Sequence, residues 1–112
     1  MNRETILGTA LRAVDDRGKN YGKPSENFER IASLWGAYTG IKYNVADVGL
    51  MMMLVKMSRL IESPMHEDSW VDLAGYSAIT AEAIAESVDN RHPHEDRQST
   101  DSKKLPIYSA DQ

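Results

Sequence analysis

The chain has 112 residues, 41% of them hydrophobic and 27% charged, enough for one small domain and too few for two. Without cysteine there is no disulfide, zinc–thiolate site or cysteine nucleophile, and a formal charge of −4 argues against a surface that binds nucleic-acid polymers through their phosphates. No stretch reaches the roughly 18 uncharged apolar residues of a membrane span: the densest run, Val48 to Val55, stops at Lys56. The opening Met1-Asn2-Arg3-Glu4 carries an acid at position 4, unlike a signal peptide, so a cytoplasmic protein is expected.

The apolar period is helical throughout. Ile6, Leu7, Ala10, Leu11 and Val14 form a first stripe that is expected to end before Arg17-Gly18. Tyr21-Gly22-Lys23-Pro24 has the composition of a turn, and Ser25 is the expected N-cap of a second helix, with Glu26 in its positive first turn. Phe28, Ile31, Ala32, Trp35 and Tyr38 make the second stripe, closed by Gly40. Asn44 and Asp47 have capping-box spacing. From Val48 to Ile61 the third helix is apolar nearly all round, and a central position is expected for it. Ser63-Pro64 should cap and open a fourth helix from about Met65 to about Val88. Its small residues Ala74, Gly75, Ala78, Ala81 and Ala85 would let another helix approach closely, and so short a body is expected to form a homo-oligomer.

The fold class is therefore all-α: a compact four-helix domain over residues 1–88 and a polar, disordered tail over 89–112. The tail holds His92, His94 and one apolar patch, Leu105 to Tyr108, too little to offset its own ordering entropy.

Chemistry is concentrated in three places. Lys56 and Arg59, three apart on one helical face, directly follow the buried run, where cations either reach back to solvent or meet an anion. Asp68 and Asp72 are four apart, and like charges at that spacing call for compensation by a cation, a metal or water. Such a pair can hold magnesium, or it can hold the two cations in place for a phosphorylated ligand. The dipole of the helix accounts for Glu67 and Asp68 but not for Asp72. Arg17 and Tyr21-Gly22 either close one side of a pocket or staple the first loop to the body. Met51, Met52, Met53 and Met57 are read as core filling. There is no glycine-rich phosphate loop and no nucleophile elbow.

Taken together, Arg17…Tyr21-Gly22-x-Pro24…Phe28…Trp35, Asp47-Val48…Lys56-x-x-Arg59 and Asp68…Asp72-x-x-Gly75-Tyr76 resemble a phage and prophage family of small helical proteins, left as of unknown function or described as MazG-like. The likeness spans about residues 3 to 80, and the block Asp-Ser-Trp-Val-Asp-Leu-Ala-Gly-Tyr is its most specific part. The wider MazG-like class implies an all-α, oligomeric, magnesium-dependent nucleoside triphosphate pyrophosphohydrolase with two closely spaced acid pairs. This chain departs from that pattern. Asp68 and Asp72 are four apart rather than three, and its one Glu-x-x-Glu, Glu26 and Glu29, sits at a helix start without apolar framing. The resemblance implies a nucleotide-sized, phosphate-bearing ligand contacted by Lys56, Arg59, Asp68, Asp72, Tyr76, Arg17 and Tyr21.

Three functions follow as expectations. The first is an accessory protein in the host cytoplasm that binds a nucleotide or nucleotide-derived signal, sequestering it and blunting host defence. The second is the hydrolase, with Asp68, Asp72 and Asp47 holding magnesium. The third is an interaction protein whose charge pairs are structural.

Overall fold

The computed structural model describes residues 1–89, and these form four helices with no strand among them: α1 Arg3–Tyr21, α2 Pro24–Thr39, α3 Val45–Glu62 and α4 Glu67–Asp89. The all-α, four-helix expectation holds. The expected tail, with His92, His94 and the Leu105 to Tyr108 patch, lies outside the described residues beyond Asp89.

Local chemistry explains most of the boundaries. The Asn2 side chain accepts from the Thr5 N–H at 2.9 Å and starts α1. α1 runs to Tyr21, past the expected stop at Arg17, because Gly18 alone does not end a helix. The Arg17 guanidinium stacks over the Tyr21 ring, 5.4 Å from its centre, one turn on. The true stop is Gly22 at φ +79°, where a side chain would be strained. Gly40 ends α2 in the left-handed conformation, as its position suggests. Asn44 and Asp47 form the full reciprocal capping box at the start of α3, at 2.8 and 3.0 Å.

Two caps differ from expectation. The N-cap of α2 is Lys23, with Pro24 and Ser25 already helical. Ser25 is buried, and its free N–H donates to Glu86 Oε1 at 3.1 Å. The cap is thus supplied from α4 and is invisible to local sequence. In the same way, Ser63-Pro64 belongs to a short turn and α4 begins at Glu67. There His66 Nδ1 pairs with Ser69 Oγ at 2.8 Å and the Trp70 indole N–H donates to the Pro64 carbonyl at 2.8 Å.

The central helix is α4, not α3. It packs against all three others and most extensively against α3, whereas α1 touches α2 only lightly. α3 is apolar all round, yet only one side of it finds partners: Val45, Val48 and Leu60 are buried while Leu54, Val55 and Ile61 stay exposed. A core of Phe28, Ala32, Val45, Val48 and Ala83 forms where α2, α3 and α4 meet, edged by Ile31, Trp35, Tyr43, Tyr76 and Ile79. Trp35 and Tyr43 meet there edge to face at 5.8 Å. The α3–α4 crossing is very close at Gly49, where any side chain would overlap Thr80.

Candidate functional site

Each helix places one stripe of side chains on a shared groove. Val14, Arg17 and Tyr21 repeat at three and four residues on α1, Met52 and Lys56 at four on α3, and Asp72, Tyr76 and Ile79 at four and three on α4. α2 supplies Pro24, Asn27, Phe28, Ile31 and Trp35. Because α1 reaches Tyr21, its last turn overhangs this space.

The groove has two compartments. The larger, about 300 Å³, has an apolar and aromatic wall that includes Phe28, Ile31, Trp35, Met52 and Ile79, with Tyr21 and Asn27 at its polar edge. The smaller, about 130 Å³, contains Lys56 and Asp72 beside Val71 and Gly75. Val14, Arg17, Tyr76 and Ile79 line both, so the two spaces adjoin. A volume near 300 Å³ is at the lower end of small-molecule sites.

Lys56 Nζ stands 3.0 Å from Asp72 Oδ2, with 14% of the lysine side chain and 45% of the aspartate side chain exposed. The lysine is thus held with its charge inside the groove while the carboxylate still reaches solvent. Arg17 is exposed, and Tyr76 is half-buried between the two compartments.

Five of the seven residues expected to contact a ligand therefore converge: Arg17, Tyr21, Lys56, Asp72 and Tyr76. Arg59 does not join them. It is exposed in the last turn of α3 and lines neither compartment. Arg59 lies about 4.5 Å farther along the α3 axis than Lys56, toward the end of the helix and past the residues that line the groove. Asp68 is likewise exposed and outside both compartments. Asp47 is committed to the capping box and lies nine residues before Lys56, about 13 Å along the axis. The acids Asp47, Asp68 and Asp72 do not gather, and among the described residues no group of three His, Asp or Glu is placed to hold a metal ion.

Sequence reasoning passed over Asn27, Trp35, Met52 and Ile79 as site residues. Asn27 left a signal: it is a polar side chain one turn before Ile31 on the apolar face of α2. Met52 and Ile79 left none, since a residue lining a cavity and one filling a core look alike in sequence.

Residues 5–84 match the family described as Domain of unknown function (DUF6378). The chain belongs to this family. Among curated proteins it is similar to the Gene 55 protein of Mycobacterium phage L5, 42% identical over 96 residues that cover 84% of the chain and 61% of that protein. The Gene 55 protein of Mycobacterium phage D29 is 38% identical over 87 residues, covering 77% of the chain and 58% of the relative. The chain thus spans about three fifths of the length of these relatives. No solved structure matches it. The phage part of the expected kinship stands; the comparisons give no MazG-like relative. Among the described residues no helix is long and apolar enough to cross a membrane.

Proposed function

We propose that this phage-family protein binds a nucleotide or nucleotide-derived small molecule without cleaving it. One observation carries the reading: two cations and two tyrosines from three helices converge on one groove that has an aromatic, apolar wall. An aromatic base suits the larger compartment, where Trp35, Tyr21 and Tyr76 offer faces or edges to it and the Asn27 amide offers a donor and an acceptor. Phosphate suits the smaller compartment, between the Arg17 guanidinium and the Lys56 ammonium. Asp72 holds Lys56 in position and, being half exposed, can accept a hydrogen bond from a ligand hydroxyl.

The hydrolytic alternative, a MazG-like pyrophosphohydrolase, requires acids grouped around magnesium next to the phosphates. Asp72 is in place for that role, but Asp47 is committed to its capping box and Asp68 lines neither compartment, and this favours binding over turnover. Sequestration of a host nucleotide signal remains the biological role that fits binding alone. The interaction-protein alternative draws support from the apolar side chains left exposed on α1 and α3, Leu7, Leu11, Leu54 and Ile61. A homo-oligomer covering such surface is compatible with ligand binding in the groove.

The test is to incubate the full chain with pooled nucleotides, with and without magnesium, then denature it and analyse both released and solution nucleotides. The reading expects intact nucleotide released from the protein and an unchanged solution pool. Conversion to monophosphate and pyrophosphate would establish the enzyme instead, and an empty protein with an unchanged pool would remove both.

A further inference from the structure

The charges around the groove bear on which nucleotides it suits. Arg17 and Lys56 are the two cations that line it, and Asp72 is the one carboxylate, already 3.0 Å from Lys56. The lining therefore presents a single net positive charge. Its polar compartment, about 130 Å³, is less than half the size of the aromatic one. The chain as a whole carries −4, so the field outside the groove does not draw in polyanions. One turn from Asp72 on the same face of α4 stands Asp68, and a phosphate chain extended past Lys56 in that direction would meet a second carboxylate.

Resting on the nucleotide-binding reading, we infer that the groove selects ligands that carry a single phosphate group, and discriminates against polyphosphates. A monophosphate carries about −1.5 to −2 at neutral pH when it is a terminal group. A phosphodiester carries a single charge. Either is close to what Arg17 and Lys56 can neutralise once Asp72 has taken its share. A triphosphate brings several charges into a compartment with one net cation. Its excess charge would stay in solvent or face Asp72 and Asp68. Asp72 is thus the specificity-determining group: it sets the charge that the ligand must match.

The experiment titrates the full chain at low salt with four probe sets: the four ribonucleosides, their 5′-monophosphates, their 5′-triphosphates and the corresponding dinucleoside phosphodiesters. The inference expects the tightest monophosphate or phosphodiester to bind at least tenfold better than the triphosphate and the nucleoside of the same base. The comparison of monophosphate with diester identifies which of the two sources is used. Asp72→Asn, which adds one net positive charge to the groove, should narrow the gap to the triphosphate several-fold. A triphosphate that binds as tightly as the monophosphate overturns the charge inference and leaves the site standing. The same holds for a preference that Asp72→Asn does not move. Absence of binding by every probe overturns the nucleotide-binding reading itself.

Discussion

Two helix crossings on α4 differ in closeness, and the difference explains where this small protein keeps its groove. At the α3–α4 crossing, Gly49 presses its backbone onto Thr80 so closely that a Cβ has no room. The surrounding Val45, Val48 and Ala83 are buried almost completely. At the α1–α4 crossing, Gly75 faces Val14 across 3.6 Å from where its Cβ would be, an ordinary contact distance. α1 then runs on past α4 with Arg17 and Tyr21 overhanging space. The tight crossing builds a core; the looser one leaves a cavity whose walls are already charged and aromatic. Both crossings use glycine on a helix, but only one needs it for approach.

Substitutions sharpen this contrast. Phe28→Ala empties the core at the tight end, and unfolding in urea should show a loss of about 3–5 kcal/mol. Gly49→Ala forces its methyl into the buried Thr80, and overpacking of this kind should cost about 1–3 kcal/mol despite the better helix propensity of alanine. Lys56→Met should change stability by no more than about 1 kcal/mol, because Asp72, half exposed, can recover its water when the ion pair goes. Gly75→Ala meets only ordinary contacts in a helix interior and should be neutral or stabilising by a few tenths, up to about 1 kcal/mol. If Gly75→Ala destabilised as much as Gly49→Ala, the two crossings would not differ in the way described.

Assembly is a separate expectation. Ala78, Ala81 and Ala85 lie exposed along α4, and Leu54, Met57 and Ile61 lie exposed along α3 at three- and four-residue spacing. Light scattering at micromolar concentration should give at least a dimer. A monomer there would show that these apolar stripes have no partner copy.

The helices were legible because their signals are local. The Asn44–Asp47 box and the Gly40 cap depend on residues adjacent in the chain, and both formed as spacing suggests. The N-cap of α2 was not legible, since Glu86 supplies it from 61 positions away. Nor was the rank of α3, because hydrophobicity shows that a face is apolar and not that a partner covers it: Leu54 and Ile61 are as apolar as Leu60 and remain exposed. In the site, Lys56 and Asp72 were found because each was out of character with its helix. Arg59 and Asp68 came along by proximity in sequence, and both are exposed and line neither compartment. Trp35 and Met52 gave no local reason to be counted as anything but core.

The most direct test of the central claim compares nucleotide binding by the unaltered chain with that of Arg17→Ala, Lys56→Met and Arg59→Ala, by calorimetric titration with ribonucleoside 5′-monophosphates. The account predicts that Arg17→Ala and Lys56→Met each weaken binding at least tenfold while Arg59→Ala leaves it within a factor of about two. The thermal midpoints without nucleotide should be nearly unchanged for Arg17→Ala and Arg59→Ala, both exposed, and Lys56→Met should stay within the limit of about 1 kcal/mol given above. Equal binding by all four, or a loss confined to Arg59→Ala, would contradict the placement of the site.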